Sequence, residues 1–337
     1  MLRIGIIGAA RVATYAMIAP ARARGDVMIA AVAARDPARA RAYAAMHGIA
    51  RVHDSYAALA ADPAIDLVYV ATPPVAHLAH ARLAIAVGKP VLVEKPFTMD
   101  VAEAETLLAE AAAAGVPVFE AMHSRHHAIW PLVTELLPRL GRLRRIDAVF
   151  DVAVGIAADE FRWDAALGGG ALMDLGIYPL AWVRAVAGEP LAATGAIMER
   201  QRGADARQRG ADARQRGADA RQRGADARFS ATLSLPGDVI ATVAADMTAP
   251  RRAQLMITGD SGRLVIDNPL APQLGHAITL TTIAGAETFR ADGPGSYDAQ
   301  LAAVVATLRD GAAFPLAADD AVQSMRAIAL VRAAAGT

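Results

Sequence analysis

The chain has 337 residues, 55% of them hydrophobic and 20% charged, with a formal net charge of +0. That length accommodates two domains, and the balanced charge offers no basic field for nucleic acid or an anionic membrane surface. There is no cysteine, so disulfide scaffolds and thiol chemistry are excluded.

The N-terminal apolar run, Leu2–Ile7, is too short for a secretory signal and is followed at once by Gly8 and Arg11. No stretch reaches the roughly 18 uncharged apolar residues of a membrane span. A cytoplasmic protein with neither membrane nor nucleic-acid partners is expected.

The first 120 residues alternate between short Val-rich and Ala-rich segments. Strands are predicted at 2–7, 27–34, 66–71, 90–94 and 116–120, and helices at 11–23, 37–47, 55–61, 75–87 and 100–114. Asp100 reads as an N-cap, with Glu103 completing a capping box, and Gly88 and Gly115 fall where helices should end. Such β–α alternation with buried strands predicts a doubly wound parallel sheet, over residues 1–122.

Beyond that point the pattern changes. A helix at 127–138 and a strand at 143–154 precede a helix from the Gly168–Gly170 turn. Strands are predicted at 190–199, 229–235, 239–247, 253–259, 262–267 and 276–283, then helices at 297–310 and 318–335. Residues 123–337 are therefore expected to form an open, mostly antiparallel sheet domain of the α+β type.

Residues 201–228 are QRGADAR four times in tandem. The seven-residue period cannot make a coiled-coil seam, because each copy holds Gly and no large apolar residue. An exposed, disordered loop between two strands is expected over the whole of 201–228. A weak anionic contact through its arginines is a lesser alternative.

The opening LRIGIIGAARVA has the strand–turn–helix order of a dinucleotide-binding unit, in which N–H groups at a helix start face a pyrophosphate. The fingerprint is imperfect: Gly8 holds the first glycine position, Ala10 the second and Ala13 the third. Candidate cofactor contacts are Gly8, Ala10, Arg11 and Val12 here. At the end of the second strand stand Ala34 and Arg35. The absence of an acid at Ala34 and the neighbouring guanidinium favour a 2′-phosphate, hence NADP. NAD remains the alternative if Asp36 is the ribose acid, although Asp36 before Pro37 also reads as a helix N-cap. Thr72, Pro73 and His77 follow the next strand, at the edge where open α/β sheets bind ligands, and Glu94 and Lys95 end another.

All the basic residues are Arg except Lys89 and Lys95. A chain so biased that keeps Lys before Pro96 points to a needed amine. In GGGALMDLGIYP, Asp174 and Tyr178 stand four residues apart, one helical turn. A tyrosine hydroxyl titrates near pH ~10 in water, and a nearby ammonium favours its phenolate. Tyr178, Lys95 and Asp174 are thus candidates for moving a proton while a cofactor moves a hydride. Arg162 and Arg125 are candidate substrate contacts, although Arg162 reads equally as a surface ion-pair residue. The cluster Glu120, His123, Arg125, His126 and His127 lacks a clear tetrahedral set, so no metal is expected.

On the segments IGIIGAARVA, VAARDPARARAYAAMHGI, GKPVLVEKPF, EAMHSRHHAIWP and FRWDAALGGGALMDLGIYPL, the chain resembles the Gfo/Idh/MocA oxidoreductases. The likeness runs nearly end to end and omits only 201–228. Many members carry His where Tyr178 stands. Tyr there resembles the branch holding dihydrodiol dehydrogenase, NADP-dependent aldose dehydrogenase and glucose–fructose oxidoreductase. The resemblance implies Tyr178 as acid/base, Lys95 as its assistant and Asp174 in the substrate site. It also implies a carbohydrate-like or dihydrodiol substrate and a homo-oligomer, a dimer or tetramer. A non-catalytic ligand sensor on the same fold, and an interaction protein built on the repeat, are the competing expectations.

Overall fold

The computed structural model describes residues 1–155, 160–200 and 224–337. The chain divides into two compact units, Met1–His127 with Pro294–Met325, and Ala128–Gly293 with Arg326–Thr337.

The first unit is built on a six-stranded parallel sheet. Its strands are β1 (Leu2–Ile7), β2 (Val27–Ala33), β3 (Arg51–His53), β4 (Leu67–Val70), β5 (Val91–Glu94) and β6 (Val118–Ala121), in the order β3-β2-β1-β4-β5-β6. The order reverses between β1 and β4, and that switch point is where doubly wound sheets open a ligand crevice. Ile4, Ile6, Leu67, Tyr69 and Leu92 are fully buried, as strands covered on both faces require. The three residues of β3 lie at the sheet edge and are only half-buried, so no apolar run announces them.

Helix ends follow local chemistry. Asp36 accepts from Ala38 N at 2.8 Å and so caps Pro37–His47. Asp100 accepts from Glu103 N at 2.9 Å, and Glu103 reaches back to Met99 N at 3.0 Å, a capping box displaced by one residue. Gly115 closes its helix in the left-handed conformation. The helix predicted at 11–23 is continuous but widens into a π turn over Thr14–Ile18.

Residues 294–325, read from sequence as part of the C-terminal domain, pack in the first unit. The helix Ser296–Asp310 places Leu301, Val304 and Val305 in the core shared by Ile4, Met17 and Phe119. Sequence distance gave no hint of this return.

The second unit holds eight strands: β7 (Leu143–Asp151), β8 (Ala192–Glu199), β9 (Arg228–Leu235), β10 (Val239–Asp246), β11 (Arg252–Gly259), β12 (Gly262–Asp267), β13 (Ala277–Thr282) and β14 (Gly285–Phe289). Their order is β14-β13-β12-β11-β7-β10-β9-β8, and every pairing is antiparallel except β10 with β7. The edge strand β14 is exposed and was not visible as an alternating pattern. The segment Ala165–Ala187 is long and apolar enough to cross a membrane by length and composition, but 89% of its most apolar stretch is buried inside the fold, as in a core helix.

The expectation of a disordered repeat needs correction at its end. Residues 201–223 lie outside the described residues. Gly224–Arg228, the end of the last copy, are ordered: Ala225, Asp226 and Ala227 are buried, and Arg228 opens β9. Small side chains fit a close backbone contact that large ones would block, which composition alone had presented as inability to fold.

Candidate functional site

In the first unit, β1 delivers Gly8 to the turn before the helix that starts at Arg11. Gly8 has φ +107°, and a Cβ there would lie 2.9 Å from the Ala71 carbonyl oxygen. Only glycine lets β1 and β4 run this close at the switch point. Ala10 and Val12 are half-buried and Arg11 is exposed.

At the end of β2, Ala34 is buried and Arg35 is exposed. Arg39, not foreseen from the sequence, leans back one helical turn and donates to the Ala9 carbonyl at 3.3 Å. Burial pushes the Tyr56 hydroxyl above its ordinary value, opposed by the Arg35 N–H and by the charges of Arg35 and Arg39, which therefore share one corner. Asp36 caps the following helix, its Oδ1 accepting from Ala38 N.

Thr72 and Pro73 are half-buried after β4. His77, expected from the sequence among the cofactor contacts, is not at the surface. It is fully buried between two backbone carbonyl oxygens, Thr72 O 2.7 Å from Nε2 and Pro96 O 2.9 Å from Nδ1, and the neutral ring donates its one N–H to one of them. Burial is the main cause of its low pKa, about 4. It acts on the site by tying the loop after β4 to the loop after β5. Glu94 is likewise buried and accepts a hydrogen bond from the Tyr69 hydroxyl. Lys95, partly exposed, precedes Pro96 through a cis peptide bond.

The histidine cluster after β6 is structural in its described contacts. His123 Nδ1 meets Ser296 Oγ at 2.9 Å, and its ring stacks on Tyr297 with centroids 3.9 Å apart. Burial first, and then the Lys95 charge, hold His123 well below its ordinary pKa. His126 packs on Phe314 at 5.1 Å, with a pKa of about 4 caused by burial and by Arg125. Arg125 belongs to this first-unit turn, and the other expected substrate residues, Arg162, Asp174 and Tyr178, belong to the second unit.

In the second unit, the Gly168–Gly170 turn opens a π turn at Leu172–Gly176, continued by the helix Ile177–Ala187. π turns inside helices recur at functional sites, because the wider turn re-aims side chains. Asp174 lies in the π turn and Tyr178 in the first turn of the helix proper. Arg162 Nε donates to Asp174 Oδ2 at 2.9 Å, and its other arm holds Glu160 Oε1 at 2.7 Å. The side chains of Arg162 and Asp174 are 20% and 10% exposed. Arg162 is therefore the ion-pair partner of Asp174 and not a solvated surface charge. Glu160, two residues upstream, escaped notice because spacing alone did not tie it to Asp174.

The ring of Tyr178 is wedged edge-on to Phe150 at 5.7 Å and inclined to Trp182 at 6.4 Å. Two further contacts set the helix. Gly176 faces Phe229, where a Cβ would come within 2.3 Å of the ring. Asp226 Oδ2 accepts from Leu172 N at 2.9 Å.

A nucleotide-binding parallel sheet followed by a large open sheet, with an acid–tyrosine helix in the second unit, defines a two-domain dinucleotide-dependent oxidoreductase class. The model of the oxidoreductase family with NAD-binding Rossmann fold matches residues 2–122, and the model of the GFO/IDH/MocA C-terminal domain matches 138–265. The chain belongs to the Gfo/Idh/MocA oxidoreductase family. It is 34% identical to a dTDP-3,4-didehydro-2,6-dideoxy-alpha-D-glucose 3-reductase of Streptomyces antibioticus, over 82% of this chain and 78% of that one. It is 28% identical to a D-xylose 1-dehydrogenase (NADP(+)) of Haloferax volcanii, over 100% and 98% of the two chains. Among solved structures, the 3-ketoreductase KijD10 of Actinomadura kijaniata, in complex with NADP and TDP-benzene, superposes with a TM-score of 0.86 at 24% identity, covering 99% of this chain and 97% of that one. An aldose-aldose oxidoreductase of Caulobacter crescentus, complexed with glycerol, also gives 0.86, at 23% identity and the same coverage. These likenesses establish the shared fold.

Proposed function

We propose that this protein is an NADP-dependent oxidoreductase acting on a CH–OH group, or the corresponding carbonyl, of a sugar-like or dihydrodiol substrate. The observation that carries the reading is Asp174, ion-paired with Arg162 and four residues before Tyr178 on one buried helix, in a chain of this family.

The residues present fit a nicotinamide dinucleotide. Gly8, at φ +107°, makes the tight turn at the switch point just before the helix that starts at Arg11, the place where open α/β sheets hold a pyrophosphate. Arg35 and Arg39 supply two guanidiniums where NAD enzymes place a ribose acid, while Asp36 is committed to its cap. NADP is favoured over NAD on these grounds. When bound, the nicotinamide supplies the hydride acceptor or donor.

Tyr178 Oη takes the hydroxyl proton of the reacting carbon in oxidation and returns it to the carbonyl oxygen in reduction. Asp174, held in one orientation by Arg162, accepts a hydrogen bond from a neighbouring substrate hydroxyl. Lys95 favours the Tyr178 phenolate, the role that the EKP motif implies for it.

The relatives named for sugar nucleotides, xylose and dihydrodiols share a substrate with vicinal oxygens, which an acid beside a proton-transfer group suits. The test is a screen of aldoses, keto sugars and dihydrodiols followed by NADPH absorbance. Tyr178→Phe should abolish turnover while NADPH binding persists. Normal kcat in that variant would reject Tyr178 as the acid/base.

A further inference from the structure

We infer that the last copy of the QRGADAR repeat is a working part of the substrate unit, and that Asp226 is a positioning residue for the helix bearing Asp174 and Tyr178. The link to catalysis rests on the proposed function; the structural link does not.

The pentapeptide Gly224–Arg228 is clamped along its length. Gly224 bridges Asp164. The Asp226 carbonyl accepts from Ala171 N at 2.8 Å, and its carboxylate accepts from Leu172 N at 2.9 Å. Ala227 donates to the Glu199 carbonyl and accepts from Met247 N, both at 2.8 Å. One aspartate thus satisfies two successive N–H groups at the start of the helix, where no intrahelical acceptor exists. Its negative charge also lies at the positive end of the helix dipole.

The fit is mutual. Gly170 has φ +115°, and a Cβ there would stand 2.1 Å from Asp226 Oδ1. The glycine-rich turn is therefore shaped to admit this carboxylate. Gly170 also accepts from Asp174 N at 2.9 Å, and Gly170 N donates to the Arg162 carbonyl at 2.9 Å. Asp226 is one residue away from both members of the Arg162–Asp174 pair through Gly170.

The tandem sequence has a consequence. Every copy reads GADAR, so gain or loss of whole copies always leaves one GADAR before Phe229. Copy number can change while the site keeps its clamp. Removing all four copies cannot, because the deletion takes away Asp226 and its bonds to Ala171 N and Leu172 N, and leaves only Glu199 and Arg200 to join the paired Met198 and Phe229 of β8 and β9. The expectation of an exposed loop over the whole of 201–228 therefore does not hold for Gly224–Arg228.

The experiment compares deletion of 201–221, deletion of 201–228, Asp226→Ala and Asp226→Asn in the full chain. Readouts are the thermal midpoint, amide exchange of the 168–178 peptide by mass spectrometry, NADPH affinity by fluorescence and steady-state kinetics. Deletion of 201–221 should leave the midpoint within about 2 °C and exchange unchanged. Deletion of 201–228 should lose protection of 168–178. Asp226→Ala should lower the midpoint by about 2–6 °C, expose 168–178 to exchange and cut kcat at least about tenfold, with NADPH affinity unchanged. Asp226→Asn keeps an acceptor for Leu172 N and should recover most of that kcat.

Wild-type exchange and full kcat in Asp226→Ala would overturn the proposal, as would equal loss of protection in both deletions. Lost protection with unaltered kcat would overturn the positioning role. If the wild type turns over no tested substrate, the proposed function fails, and exchange and midpoint still decide the clamp.

Discussion

Arg162 reaches twelve residues forward to Asp174, with 2.9 Å between Nε and Oδ2, and grips Glu160 with its other arm. A guanidinium shared by two carboxylates in a mostly buried setting orients both. Arg162→Met should remove the guanidinium that orients the Asp174 carboxylate. A loss of about ten- to a hundredfold in kcat/KM is expected, of order 1.4–2.8 kcal/mol in transition-state stabilisation. Arg162→Lys should recover only part of it, because a point charge cannot bridge both acids in the same geometry. Unchanged kcat/KM in Arg162→Met would remove this pair from the site.

Cofactor preference should follow the corner made by Arg35 and Arg39. Arg35→Ala should raise KM for NADP about ten- to a hundredfold and that for NAD little, since a charge-assisted contact is worth roughly 1.5–3 kcal/mol. Arg39→Ala should act in the same direction, with some loss for NAD as well, because Arg39 also holds the Ala9 carbonyl of the turn. Steady-state kinetics with both cofactors decide the matter; equal effects on NADP and NAD would reject a 2′-phosphate site here.

Gly176 tests how tightly the helix must seat. A methyl there would fall 2.3 Å and 2.6 Å from two ring atoms of Phe229. Gly176→Ala should destabilise the fold by about 1–3 kcal/mol, a typical overpacking cost. Adding Phe229→Leu should restore part of the loss, since the two changes share one space and will not add independently. Chemical denaturation of the two single variants and the double variant measures the coupling, and strict additivity would contradict the contact.

Acid should weaken the first unit through His126. Its folded pKa of about 4 lies below the ordinary 6.5, with burial the larger cause and the Arg125 charge the smaller. The unfolded chain therefore takes up a proton first. The stability from the neutral ring is fully present above pH ~6.5 and is lost as pH falls toward ~4, at up to ~1.4 kcal/mol per pH unit. His126→Phe should leave the midpoint at pH 7.5 unchanged or slightly raised, and should flatten the decline between those limits. His77 and His123 act in the same direction, so a residual slope remains. An unaltered slope in His126→Phe would show that His126 does not titrate there.

Much of this was legible in the chain itself. The alternation of Val-rich and Ala-rich segments defines the parallel sheet, because strands buried on both faces must be continuously apolar. The Gly8 turn, Lys95 and the Asp174–Tyr178 spacing stand out because their chemistry depends on residue type within a few positions. Asp36 and Asp100 declare helix starts for the same local reason. The rest is decided over long range. That Ser296–Asp310 returns to the first core, that His77 is buried between two carbonyls, and that Arg162 belongs to Asp174 depend on which surfaces meet. The last repeat copy shows the difference most plainly. Gly224–Arg228 are ordered because they precede β9 and are brought against Gly170, where the backbone carbonyl and the carboxylate of Asp226 accept from Ala171 N and Leu172 N at the helix start, a pairing that no local propensity announces.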